Sequence, residues 1–454
     1  MTTHPATAST APSLTRSVAH YPAESGVPPE GCGCPQGQVL TSQVSRRTLL
    51  AGASALGALG AVIGTAGPSA ATQLAFAGTA YTGDTIVILS LRGGFDGLSA
   101  VAPVGDPAYF AARPTIAIPA SRAITLDSMF GLHPALAPLK PIWDAGGLAA
   151  VHAVGQVNPT RSHFEAMATM ENAAPGSTLR TGWLDRMIGL SGPVSTFASV
   201  AVGSATTPQS MIGPNPEVAI RTVDSFSLSG ASTPDEQTRW TTALNALYAG
   251  APAALAAPAK ATLGALSTMS PLKAAGYTPA NGAAYPKGAV GDALRDLARL
   301  IKARIGLRAA TVDVGNWDML SGLGASDSGW MFRQLTELGQ ALAAFNQDLG
   351  AQMSDVTLVT LSEFGRRVAQ NGSGGLDHGH GNVSLVMGGG VRGGQVYGRW
   401  PGLAAANLDN GDLAGTTDYR TILAEALEKR AQLSSSTVFP LLAADRLGMF
   451  AAKA

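Results

Sequence analysis

Cysteine is nearly absent from this chain of 454 residues: there are two, Cys32 and Cys34, and both precede the adjacent arginines Arg46-Arg47. Downstream of that point, disulfides, thiolate metal sites and cysteine nucleophiles are therefore excluded together. Charge is scarce too. Asp, Glu, Lys and Arg make up 13% of the residues, and thirty basic side chains cancel thirty acidic ones. That balance excludes nucleic acid as a partner, because phosphate neutralisation needs clustered Lys and Arg. Several signatures are missing outright. There is no Gly-Lys pair and hence no P-loop, no His-Glu pair and hence no zincin helix, and no Ser with Gly at both −2 and +2. What is abundant is apolar residues, at 46%, which excludes a disordered chain. Gly (55) and Pro (28) fall short of a low-complexity composition and imply many loops.

The two arginines stand in Ser45-Arg46-Arg47-Thr48-Leu49-Leu50, directly before a Gly- and Ala-rich apolar run over 49–66. Ala75-Phe76-Ala77 follows, with small residues at the spacing of a cleavage site. The pattern resembles a twin-arginine export signal. It predicts a leader over 1–77, removed or kept as an anchor, that engages the twin-arginine export machinery. The rest of the chain would be periplasmic, at the cell surface or extracellular, and would touch the membrane only through an uncleaved leader. Cys32-Gly33-Cys34 lies inside that leader, so no function is assigned to it.

From residue 78 to 454 the sequence reads as one domain. Short continuous apolar runs predict strands at Ile86–Leu91, Ala149–Val154, Ala198–Val202, Ala310–Val314, Val356–Leu361 and Val383–Met387. Continuous rather than alternating runs are the mark of parallel strands buried on both faces. Between them lie helical periodicities. One follows Ser328 as N-cap, with Met331, Leu335, Leu338, Leu342, Phe345 and Leu349 on one face. Another runs from about Asp292 through Leu294, Leu297, Ile301 and Ile305. Alternation of the two predicts an α/β fold with a doubly wound, mostly parallel sheet. The Ala/Pro-rich stretch 203–290 breaks the pattern and reads as a cap or insertion. Gly388, Gly390 and Gly393 match a dinucleotide fingerprint, but no helix pattern follows them, so a Gly-rich turn is the better reading.

Ligands of open α/β sheets bind beyond the carboxyl ends of the strands. The residues at those ends are Arg92-Gly93-Gly94-Phe95-Asp96-Gly97, Asn158-Pro159-Thr160-Arg161-Ser162-His163, Gly315-Asn316-Trp317-Asp318 and Ser362-Glu363-Phe364-Gly365-Arg366. Asp377-His378-Gly379-His380 stands just before the last strand. Carboxylates, a Ser-His pair and an Asp-His-x-His cluster thus meet at one predicted edge. Mixed imidazole and carboxylate donors suit a divalent metal, zinc foremost, with manganese, iron or calcium as alternatives. The other two downstream histidines, His133 and His152, read as core or surface residues. In an extended Gly-rich segment His378 and His380 would face the same side.

At these blocks, with weaker similarity from about Thr85 to Leu427, the chain resembles the domain of unknown function 1501 family. The resemblance implies a fold similar to the alkaline phosphatase and sulfatase superfamily and a metal-dependent α/β hydrolase. Asp96 would match the metal-binding Asp after the first strand, and Ser162 the nucleophile slot. Glu363 would match the next metal-binding strand end and His378 the last metal histidine. Asp318 and Asp377 complete the expected ligand set. One departure matters: Leu320 stands where the family's Trp-Asp-Thr-His-like block carries a histidine. Three outcomes are open: His380 or His163 substitutes, the site holds one metal where relatives hold two, or it is inactive. Val157 likewise stands where a formylglycine motif needs Cys or Ser, which counts against a sulfatase. The sequence therefore predicts an exported hydrolase of small-molecule or cell-envelope esters, phosphoesters before sulfoesters. Ser162, His163 and His380 would be catalytic, with His380 a ligand or general acid. The rival is a non-catalytic binding or assembly protein on the same scaffold.

Overall fold

The run Thr85-Ile-Val-Ile-Leu-Ser-Leu91 forms the strand β1, buried along nearly its whole length at the centre of a nine-stranded sheet. The structure, a computed structural model, describes residues 81–231 and 233–453. The arginine pair, the apolar run behind it, the Ala75–Ala77 pattern and both cysteines lie outside the described residues. Among the described residues no helix is long and apolar enough to cross a membrane.

The other strands are β2 (Leu148–Gly155), β3 (Ser199–Val202), β4 (Val218–Ile220), β5 (Ala309–Val314), β6 (Val356–Leu361), β7 (Asn382–Gly388), β8 (Val396–Tyr397) and β9 (Thr417–Asp418). Their order is β8-β2-β7-β6-β1-β5-β3-β4, with β9 also on β2. All six sequence-predicted strands are present within a residue or two. The central pairs are parallel: β1 aligns Ile86 with Ala309 of β5 and with Thr357 of β6. β7 departs from the expectation, running antiparallel to both β2 and β6. The reason lies in the connection. Parallel neighbours need a crossover, usually a helix, whereas residues 362–381 join β6 to β7 without one. The reversal matters for function, because it brings the segment before β7 to the same edge as the carboxyl ends of β1, β5 and β6.

Helices cover both faces, as a doubly wound sheet requires. α1 (His163–Asn172), α2 (Trp183–Leu190) and α7 (Tyr419–Ala426) pack Met167, Met170, Leu184, Ile188, Ile422 and Leu423 against Ile86 and Ile88. On the other face α5 (Ala289–Lys302) and α6 (Gly329–Leu349) bury Leu294, Leu297, Leu335, Leu338 and Leu342 against Val87, Leu89 and Leu91. Alternate residues of β1 thus serve opposite cores, which is why its apolar run is continuous. Ser328 does precede α6, but its hydroxyl turns to Asp327 (3.3 Å) rather than capping the helix. Ile305 lies beyond the end of α5 yet still packs against the core.

The stretch 203–290 includes the edge strand β4 and two helices, α3 (Pro234–Tyr248) and α4 (Ala253–Ala275). Leu228, Ala231, Leu244 and Ala259 form a small core of their own there, while Ala265 and Met269 of α4 reach the main core. The stretch therefore extends the sheet as well as adding to it.

Candidate metal centre

Three side chains converge at the carboxyl edge, one from the first turn of α1 and two from loops. Among the described residues His163, Asp318 and His378 form a group whose donor atoms all lie within 4.8 Å of one another. His163 Nε2 is 3.1 Å from His378 Nε2 and 3.6 Å from an Asp318 oxygen, and His378 Nε2 is 3.1 Å from the other Asp318 oxygen. A tetrahedral ion with bonds of about 2.0–2.1 Å separates its donors by about 3.3 Å, so the triangle has the size of a coordination site.

The far nitrogen of each ring decides what the near one offers. His163 Nδ1 lies 2.8 Å from Glu363 Oε1, and that buried carboxylate also accepts from Gly93 N (2.8 Å) and Ser362 Oγ (3.1 Å). His378 Nδ1 lies 2.9 Å from the carbonyl oxygen of Arg161. Carboxylate and carbonyl oxygens only accept, so both Nδ1 atoms donate. With Nδ1 as the donor in each ring, the two Nε2 atoms face each other and Asp318. Two such nitrogens 3.1 Å apart beside a carboxylate are satisfied by a shared proton or by a metal ion between them. The Glu363–His163 arrangement is the usual carboxylate–histidine support of a metal ligand. Phe364 walls the site, with its ring centroid 4.9 Å from His163 and 4.8 Å from His378.

Arg366, which is fully buried, locks the loops together. It donates to the carbonyls of Gly94 (2.5 Å), Gly93, Trp317 (3.0 Å) and Leu376 (3.0 Å), and to Asp318 Oδ1 (2.7 Å). Partial burial of Asp318 disfavours its carboxylate. The Arg366 hydrogen bond and charge, helped by His378, outweigh this and hold the carboxyl below its usual range. Gly93 belongs to this lock, since its φ of +118° and the Asp318 nitrogen 2.6 Å from where a Cβ would stand admit only glycine. The sequence placed Arg366 at a strand end without a role, because nothing in the spacing shows that one guanidinium reaches the ends of several loops.

Four expected site residues stand apart from the cluster. Asp96 is fully buried, and both its oxygens are taken by the buried Arg113 at 2.6 and 2.9 Å. Burial alone would raise its pKa, but the Arg113 pair overrides that and lowers it, so the carboxylate is spent on structure. Asp377 is exposed, and its side chain accepts from Asn371 (3.1 Å). Ser162 caps α1, accepting from Glu165 N at 3.5 Å. His380 does not share a side with His378. The chain bends after Gly379, and its Nε2 sits 3.1 Å from Gln156 O while its Nδ1 lies 3.6 Å from Asp409, too far for a hydrogen bond. Glu363 is at the site but supports His163 rather than facing Asp318. Leu320, 45% exposed, offers no donor, and the third corner of the triangle is filled by His163.

Sheet edge and cluster together define an α/β protein whose loops build a His-Asp-His site with one side open to solvent. The chain belongs to the family described as "Protein of unknown function (DUF1501)", which matches residues 84–427. No curated protein matches it. Two solved structures show a slight likeness. The lipoteichoic acid synthase LtaP from Listeria monocytogenes is 8% identical with a TM-score of 0.32, covering 77% of this chain and 79% of its own. The phosphonate monoester hydrolase of Agrobacterium radiobacter is 10% identical with a TM-score of 0.30, covering 70% of each chain.

Proposed function

We propose that the chain is an exported metal-dependent hydrolase acting on phosphoesters, with His163, Asp318 and His378 holding one divalent ion, zinc foremost. The convergence of two imidazole nitrogens on one carboxylate carries this reading. Three protein donors with an open side are the pattern of a catalytic rather than a structural zinc site. The leucine at 320 is then no defect, because His163 supplies the third donor and the site needs no fourth. When bound, the ion supplies Lewis acidity toward an ester oxygen.

The protein's own groups do the rest. Glu363 and the Arg161 carbonyl fix the tautomers of the two imidazoles, and Arg366 keeps Asp318 ionised and aimed. Arg161 and Arg367 share Asp412 (2.5 and 3.3 Å), so one guanidinium charge of that trio is left to attract an anionic ester. The Ser162 hydroxyl is held as a helix cap, so water is the attacking group in this account. The rival reading, a binding or assembly protein, has no structural feature that favours it over a site with an open coordination side. The test is turnover of aryl phosphate mono- and diesters by the purified chain with zinc, manganese or calcium. Metal-dependent turnover lost in Asp318→Asn by 10²-fold or more (on the order of a removed ligand) is expected. No turnover above that variant with any metal overturns the reading.

A further inference from the structure

Three exposed apolar side chains lie close in sequence to the residues of the His-Asp-His cluster. Among the described residues nine large hydrophobics are exposed. Three of them, Val157 (59%), Phe164 (90%) and Leu320 (45%), fall in the two short stretches 157–164 and 317–320. Those same stretches supply His163, Asp318 and the Arg161 carbonyl that orients His378. Phe164 directly follows His163 in the first turn of α1, and Leu320 lies two residues beyond Asp318. Nothing in the helix asks for Phe at that position, since its propensity is middling and its side chain is left in solvent. Exposed apolar residues scattered singly need no explanation, whereas a set gathered at a binding site does.

We infer that the ester taken at the His163–Asp318–His378 cluster carries an apolar group, which seats on Phe164 and is flanked by Val157 and Leu320. The inference rests on the hydrolase reading above and names its substrate class. The charged end of such a substrate faces the cluster and the Arg161 rim, while its apolar end lies outward on the collar. Burying a ring against Phe164 removes apolar area from water on both partners and adds a stacked or edge contact between the rings.

Calorimetric titration of the zinc-loaded chain with phenylphosphonate and methylphosphonate tests this, since neither is an ester and both present the same anionic head. Phenylphosphonate should bind about tenfold tighter, roughly 1.4 kcal/mol. Phe164→Ser should erase that difference while leaving methylphosphonate affinity and zinc content unchanged. The side chain is almost wholly exposed, so the variant's fold is not at risk. Equal affinities for the two anions in the unaltered protein overturn the inference and leave the hydrolase reading standing. Binding of neither anion to zinc-loaded protein overturns both. Self-association that disappears in Phe164→Ser would instead make the collar a contact between copies of the chain, and would also overturn it.

Discussion

Asp96 and His163 show how a residue's duty follows from its neighbours rather than its motif. Asp96 sits in the block Gly93-Gly94-Phe95-Asp96 where a ligand is expected, yet Arg113, seventeen residues on, takes both its oxygens inside the core. Removing one partner of a buried pair leaves the other charge unpaired, which costs more than the pair itself contributes. Asp96→Ala should therefore destabilise the protein by about 3–5 kcal/mol in denaturant titration. The same variant, at a temperature where it is folded, should bind zinc as the unaltered protein does. Loss of zinc from folded Asp96→Ala would return Asp96 to the site. His163 is the converse case. The sequence offered it as a catalytic residue or as a substitute ligand, and its Nδ1 is held by Glu363 while its Nε2 faces Asp318 and His378.

At the scale of elements, the stack of loops at the carboxyl edge leaves no room for added bulk. Arg366 and His378 form a bridge between the loop after β6 and the segment before β7. A Cβ on Gly379 would stand 2.4 Å from the backbone carbon of Arg366, with no side chain that could yield. Gly379→Ala should then pry the two loops apart and lower zinc affinity by 10-fold or more, on the order of a lost supporting contact. Unchanged zinc affinity by competition with a chelator would show the bridge to be irrelevant to the site.

The strands were legible because burial on both faces writes a continuous apolar run, as in Val356–Leu361. The carboxyl-edge rule then led to the segments that carry His163, Asp318 and His378. What the sequence did not show was direction and aim. β7 is as apolar as a parallel strand, and only the missing crossover helix reveals its reversal. His378 and His380 share a face in an extended chain, but the bend between them turns His380 toward Gln156. The Asp96–Arg113 pair depends on the path of the chain between them, which no spacing encodes.

At the scale of the whole molecule, buried titratable groups set how stability depends on pH. His133 and His152 are buried as neutral rings, and burial pushes both down to about 4 despite hydrogen bonds to backbone carbonyls. Their contribution is present above the unfolded value near 6.5 and is lost as pH falls from there toward 4. Glu217 does the opposite. Its two oxygens are buried without a hydrogen-bond partner, and burial, with Asp185 nearby, pushes it up to about 8. Its contribution is present below the unfolded value near 4.5 and is lost as pH rises toward 8. Two groups against one make stability rise with pH up to about 6.5. From there to about 8 it should fall, by at most about 1.4 kcal/mol per pH unit. Glu217→Gln should flatten that alkaline decline in chemical denaturation at several pH values. A decline that persists in the variant would place its cause elsewhere.

The central claim is that the two convergent imidazoles and Asp318 hold an ion, and metal content tests it most directly. After equilibration with zinc and desalting, elemental analysis should give about one equivalent per chain, as one three-donor site implies. His163→Ala and His378→Ala should each lose it, while His380→Ala should keep it. Occupancy below roughly 0.2 equivalents in the unaltered protein, too little for one three-donor site, would contradict the account. So would equal retention in all three variants.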